Sequence, residues 1–327
     1  MRTQAMVHPE KGMTELAEVD LPRPGPGEVQ VRTTMSAISV GTEGWMMNDV
    51  FSWIPTQFPC VPGYQRVGVV TELGEGVSDI ELGNRVVATE SSWQSPLTGQ
   101  WGSHAAFGNT AATEIYQIPD GVADEDAAAC VIAQVGWNAA SRVIMDKNDW
   151  VLVYGDGLIG QLAAQAARGR GARVAIIGHR PERLAIAERC SADVAINNNS
   201  ADVATEMARH APEGIRAVID TTQNLDAQLE FSPLLQHGTG QVVYSGFTTG
   251  THWGDMARLQ QDEFTVHFVS GWTRPRMLAT LDCFADKTMS FSNLITHRAK
   301  PIDAPKLYAM INTKDEPFLG LLLDWRP

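Results

Sequence analysis

The sequence predicts an α/β chain in which a doubly wound parallel sheet is joined to a β-rich domain. Three observations predict it. From residue 150 onward, short β-branched runs alternate with helix-length segments, the rhythm of βαβ units. A glycine-rich turn falls between the first of these strands and the first of these helices. The first 120 residues, in contrast, are short strand-like runs broken by turn clusters.

In chain order, strands are expected at 29–33, 66–71 and 85–88, separated by turns such as PRPGPG at 22–27 and LGEG at 73–76. That density of strands and turns suits a small barrel or sandwich. Residues 124–142 are alanine-rich and read as a helix, with Asp124 or Asp126 as its N-terminal charge. Strands follow at 151–154, 173–177, 194–196, 217–220, 241–244 and 264–269, with helices at 158–168 and 181–189 among them. Beyond Gly271 come a helix (275–285), a short strand, a helix (304–311) and a last strand (318–323), a segment assigned back to the first domain. The expected organisation is therefore residues 1–125 with 272–327 as one domain and 126–271 as the other.

Composition limits what such a chain can do. Its 327 residues are enough for two domains with separate cores. With 25 basic and 38 acidic side chains the net charge is −13, which argues against nucleic acid as a partner, since phosphate contacts need a concentrated basic surface. The four cysteines, at 60, 130, 190 and 283, are too scattered for a disulfide scaffold, a zinc ribbon or an iron–sulfur site. No apolar run reaches the roughly 20 residues of a membrane span, and the N-terminal MRTQAMVHPEKG lacks a signal-peptide core. The expectation is a soluble, acidic, cytoplasmic protein acting on a small molecule.

The stretch VLVYGDGLIG at 151–160 is the most informative in the chain. A hydrophobic strand runs straight into G-x-G-x-x-G, the fingerprint of a Rossmann dinucleotide site. Gly155 permits the tight turn, Gly157 lets the backbone approach a pyrophosphate, and Gly160 lets helix and strand pack closely. The free N–H groups that begin the helix at Leu158 and Ile159 would receive the anion. The second strand ends in IIGHR, so Gly178 stands where an NAD-specific site places an Asp or Glu for the ribose hydroxyl. His179, Arg180 and Arg183 follow instead, and with no carboxylate to repel it a 2′-phosphate fits there; the expected cofactor is NADP(H). Thr221, Ser245, Gly246, Ser270 and Gly271 follow later strand ends, where ligands of parallel sheets gather.

With PGYQRVG at 62–68, LGNRV at 82–86 and GSHAAF at 102–107, the chain resembles the medium-chain dehydrogenase/reductase superfamily over nearly its whole length. These segments are similar to its GHE-containing turn, its G-D-R-V strand and its G-x-x-A-E-Y strand. The resemblance implies a GroES-like catalytic domain interrupted by the Rossmann domain. ISVGTE at 38–43 and VPGY at 61–64 resemble segments of bacteriochlorophyllide a dehydrogenase-type members. In zinc-dependent members a Cys stands at the position of Val40 and a His at that of Tyr64, while Cys130 falls at or next to the third ligand position. Val and Tyr do not replace those ligands. The structural zinc of those relatives needs four cysteines in a loop near residues 90–104, and ESSWQSPLTGQW at 90–101 has none. The resemblance therefore implies a metal-free enzyme.

Without zinc, hydrogen-bond donors must manage charge on the substrate oxygen. Thr42 stands at the family's hydroxyl relay position, Tyr64 offers a second, phenolic donor, and Glu43 is placed to tune or relay the Thr42 proton. Trp45, Trp53, Trp93 and Trp101 fall in segments that line the substrate cleft in relatives and suit ring-containing substrates. The implied reaction interconverts an alcohol and a ketone or aldehyde. Reduction of a quinone or enone, or non-enzymatic NADPH binding, stays open. The family also implies a homodimer, with the apolar run 264–269 as the paired edge.

Overall fold

The computed structural model describes residues 1–51, 54–247 and 253–327. It divides into two compact units, Met1–Val131 with Ile295–Pro327, and Ile132–Leu294. Trp53 lies outside the described residues.

The first unit is built around a long strand, Glu28–Ile38. One half pairs antiparallel with Phe107–Ala111, much of its length with Arg66–Leu73, and its end with Gly320–Asp324. Outer strands Arg85–Ala88, Ile115–Gln117 and Ile295–Ala299 complete a seven-stranded sheet. A core of Val29, Val31, Val70, Val86, Ala88 and Ile115 lies on this sheet. A second core, around Met6, Ile38, Tyr308, Ile311 and Leu321, brings the helix Ala304–Thr313 against it. The helix Val40–Met47 follows the long strand directly, with Ser39 as its N-terminal cap residue.

In the second unit the expected strands appear as β1 (Trp150–Tyr154), β2 (Arg173–Gly178), β3 (Val194–Asn197), β4 (Ala217–Asp220), β5 (Gln241–Ser245) and β6 (Thr265–Val269). All are parallel, in the order β3-β2-β1-β4-β5-β6, the doubly wound order of dinucleotide folds. Strands buried on both faces need near-continuous apolar runs, and β1, β4 and β5 supply them. Helix α1 (Leu158–Gly169) follows β1 and α2 (Pro181–Cys190) follows β2. Proline at the first position of α2 suits a site where no helical N–H bond is needed.

Two expectations differ from the structure. The alanine-rich helix is two pieces, Asp124–Ala127 and Cys130–Arg142, and the units divide within the second. The return to the first unit comes at Ile295 and not at 272. The helix Arg274–Ala285 stays with the second unit: it buries Met277, Leu281 and Phe284, and the turn after it is tied to α1 through Ser290 N–H donating to Gln165 Oε1 at 2.7 Å. Apolar spacing marked that helix correctly but carried no information about which core it joins. No helix is long and apolar enough to cross a membrane among the described residues.

Candidate functional site

The glycine turn of the second unit has the geometry its sequence requires. Gly155 adopts φ +110°, a conformation that side chains rarely allow, and a Cβ there would strike Thr221 Oγ1. A Cβ on Gly160 would lie 2.0 Å from the Gly155 carbonyl oxygen, so helix and strand approach as closely as backbone permits. Around Gly157 a Cβ would meet nothing within 4 Å, which leaves open space beside the first turn of α1. Leu158 and Ile159 begin that helix, Gly157 being its cap residue. Thr221 donates to the Tyr154 carbonyl at 2.8 Å, and Gly246 lies against Ile159, so both gather at the turn. Ser245, at the end of β5, has a buried hydroxyl oxygen with no hydrogen-bond partner. Ser270 and Gly271 are exposed just past β6. This turn fits a dinucleotide pyrophosphate.

At the end of β2 the structure corrects one expectation. A carboxylate does stand there: Asp156, the residue between the first two fingerprint glycines. It accepts from the backbone N–H groups of His179 and Arg180 at 3.1 and 2.9 Å. Its other oxygen lies 3.3 Å from the Arg180 guanidinium and 3.6 Å from that of Arg183. A Cβ on Gly178 would lie 2.4 Å from Asp156 Cβ, so glycine at the end of β2 is what makes room for this side chain. Asp156 is 3 % exposed, whereas Arg180 is 44 % exposed. Burial, then the charge of Arg180, lower the pKa of Arg183, with Asp156 opposing. Two guanidiniums share this one carboxylate, and Glu182 also acts on Arg183. The His179 side chain is exposed beside them.

In the first unit, Thr42 and Tyr64 are brought together. The half-buried Thr42 hydroxyl hydrogen-bonds the Tyr64 phenol. The phenol itself donates to Ser39 Oγ at 2.5 Å, so Tyr64 is not the free donor that its position suggests. Burial pushes the Tyr64 pKa well above the usual phenol range. Trp101 packs edge-on against Tyr64 with ring centroids 5.5 Å apart. Trp45 packs edge-on against Phe51, and Trp93 donates its indole N–H to the Gly102 carbonyl at 3.0 Å. Trp101 is thus beside the hydroxyl pair, and Trp93 is spent on holding the loop.

Glu43 is fully buried and is not placed to touch a substrate. One carboxylate oxygen accepts from the Ser39 backbone N–H at 2.7 Å; the other accepts from His104 Nε2 at 3.0 Å and from the Tyr308 hydroxyl. Burial opposes its ionisation, but His104 and the other donors outweigh it and hold the pKa below the usual carboxylate value. His104 Nδ1 meets Ser36 Oγ at 2.8 Å, which also accepts from Trp325 Nε1 at 2.9 Å. Ser39, His104, Tyr308 and Trp325 were not singled out as site residues from the sequence. Only a histidine inside an apolar segment, GSHAAF, gave any signal.

At the positions where the resemblance places zinc ligands, Val40 begins a helix, Tyr64 is hydrogen-bonded to Ser39, and burial alone pushes the Cys130 thiol above its usual range. Among the described residues no group of three His, Cys, Asp or Glu side chains is placed to hold a metal.

The two units together define a dinucleotide-fold protein of the dehydrogenase class. The model of the alcohol dehydrogenase GroES-like domain matches residues 25–123, and that of the zinc-binding dehydrogenases matches residues 159–285. The chain belongs to the medium-chain dehydrogenase/reductase superfamily, a group of oxidoreductases. It is 26 % identical to 2-desacetyl-2-hydroxyethyl bacteriochlorophyllide A dehydrogenase of Cereibacter sphaeroides, covering 100 % of this chain and 99 % of that one. An Escherichia coli protein described as a short chain alcohol dehydrogenase, solved with NADH, has a similar fold at 21 % identity, TM-score 0.84 and 99 % coverage of both chains. So does a Sinorhizobium meliloti protein described as a putative zinc-binding dehydrogenase, bound to NADP, at 19 % identity, TM-score 0.86 and 99 % coverage of both.

Proposed function

We propose that this protein is a cytoplasmic, zinc-independent, NADP(H)-dependent oxidoreductase that interconverts an alcohol and a ketone or aldehyde. The observation that carries the reading is the Thr42–Tyr64 hydroxyl pair, in a unit where zinc relatives place metal ligands. The nicotinamide, when bound, supplies the hydride acceptor and donor. Thr42, half-exposed, holds the substrate oxygen, and Trp101 with Trp45 gives that region aromatic surface suited to a ring-bearing substrate. The name of the Cereibacter sphaeroides relative, with its bacteriochlorophyllide ring, supports that substrate class.

Support for NADP(H) over NAD(H) comes from Arg180 and Arg183. Asp156 is engaged on both oxygens, so its charge is spent on orienting the guanidiniums and not on a ribose hydroxyl. A homodimer is supported by β6, an edge strand whose Phe268 is 62 % exposed. Light scattering at the mass of one chain would remove the dimer.

The test of function is turnover of the purified protein, followed at the reduced-nicotinamide absorbance. Secondary ring-bearing alcohols with NADP⁺, and the matching ketones with NADPH, are expected to react. Turnover of enones or quinones alone makes it a conjugate reductase, and nucleotide binding without any turnover makes it a non-enzymatic binder. A lower KM for NADH than for NADPH would overturn the cofactor assignment.

A further inference from the structure

The residues around Tyr64 close a ring of contacts. The His104 ring sits on the α-carbon of Gly63, where a Cβ would lie 2.5 Å from the imidazole, and Gly63 itself adopts φ +89°. His104 Nε2 is bonded to Glu43, and Glu43 takes the backbone N–H of Ser39. Ser39 Oγ takes the hydroxyl hydrogen of Tyr64, the residue that follows Gly63. The same histidine therefore touches both ends of this contact: it packs on the residue before Tyr64 and, through Glu43, holds the backbone of Ser39. Ser36 and Trp325 hold the imidazole from behind, and Tyr308 completes the contacts on Glu43. His104 and Glu43 are 0 % exposed, so neither touches a substrate.

The geometry points to His104 as the positioning residue of this site: through Glu43 it holds the Ser39 backbone, and by packing on Gly63 it holds the backbone before Tyr64, so that the Ser39 and Tyr64 hydroxyls stay in contact beside Thr42. A phenol has one hydrogen to give, and here Ser39 receives it. Thr42 then gives its own hydrogen to Tyr64 and keeps lone pairs for the hydrogen of an incoming alcohol. A free Tyr64 would be equally able to donate and would compete with the alcohol for Thr42. The catalytic consequence rests on the alcohol–carbonyl reading above; the positioning itself does not.

The two are separated by one experiment. Tyrosine labelled with ¹³C at Cζ reports the hydrogen bonding of each phenol; the chain has five tyrosines, and Y64F identifies the relevant resonance. In H104F and in S39A the Tyr64 resonance is expected to move, with H104Q, which keeps a donor toward Glu43, returning it toward the wild-type position. Turnover of the alcohol is expected to fall about tenfold in S39A with the dissociation constant of NADPH unchanged, the mark of an interaction that acts on chemistry and not on cofactor binding. S39A leaves the His104 core intact and carries the test if H104F does not fold. A Tyr64 resonance that ignores S39A, or that ignores H104F in a folded protein, overturns the proposal. A resonance that follows both, in a wild-type protein that oxidises no alcohol, overturns the functional reading and leaves the positioning standing.

Discussion

The two units keep their functional residues in opposite ways. The Ile132–Leu294 unit carries most of its candidate cofactor residues in one run from Val151 to Arg183, with partners that lie mostly within about one strand–helix–strand repeat. The other unit spreads its machinery across the strand Glu28–Ile38, the turn at Gly63, the segment at His104, the helix Ala304–Thr313 and Trp325. The glycine fingerprint is a compact, portable turn. The Thr42–Tyr64 hydroxyl pair is supported by side chains far apart along the chain.

The sharpest way to break this comparison is to disable one region and read the other. T42V removes the hydroxyl expected to meet the reacting oxygen, and kcat should fall by about 10²–10⁴ with the NADPH dissociation constant unchanged in titration calorimetry. A matching loss of NADPH affinity would show that the two regions are not separable.

The buried pair gives the next largest effect. Removing one partner of a buried, hydrogen-bonded pair costs about 3–5 kcal/mol, so H104F should be destabilised by that order at neutral pH in urea unfolding. The pH dependence sharpens the point. In the wild type the folded pKa of Glu43 is depressed, so its contribution is present above the ordinary carboxylate value of about 4.3 and is lost as pH falls through the lower folded value. Without His104 its contributions are gone and burial is opposed only by the Tyr308 and Ser39 donors, so the folded pKa rises and the stability that the ionised carboxylate lends above that window is reduced. The cost of H104F should therefore shrink on going from pH 7 toward pH 4. A penalty that grows toward acid would contradict the assigned roles.

R180A tests the other region. Loss of a charge-assisted hydrogen bond of about 1.5–3 kcal/mol should weaken NADPH about 10- to 100-fold and leave NADH unchanged. Equal losses for both cofactors would assign Arg180 to the pyrophosphate or to the fold. The smallest effect is expected at Trp101, where W101A removes one edge-on ring contact worth about 0.5–1.5 kcal/mol beyond its buried area; the midpoint of thermal unfolding should fall by a few degrees.

Legibility in the sequence follows the same division. The strands of the second unit were readable because buried parallel strands are continuous β-branched runs, and the glycines because a turn needs them at fixed offsets. Arg180 and Arg183 stand out in the sequence for the same local reason, but Asp156, which pairs with them, does not: it fills the middle of a glycine motif, where the residue type carries no fixed meaning. Thr42 and Tyr64 were reached only through family resemblance. Glu43 was noticed for its neighbour in sequence, whereas its function is set by His104, 61 residues away, and by Tyr308, 265 residues away. No periodicity or spacing announces a pair so distant. The assignment of the helix Arg274–Ala285 to the wrong unit has the same origin, since its apolar face is equally consistent with either core.

The interruption of the first unit has a consequence for how the protein is made. Tyr308 and Trp325, which complete the contacts around Glu43 and Ser36, and the strand Gly320–Asp324, which pairs with Glu28–Ile38, leave the ribosome after the whole of the other unit. The parallel sheet is complete in sequence while the Glu43 carboxylate still lacks one of its donors and the long strand still has an open edge. The nascent chain thus passes through an interval in which the contacts around Glu43 are unfinished, and its vulnerable surface in that interval is the unpaired end of the strand that carries Ser36.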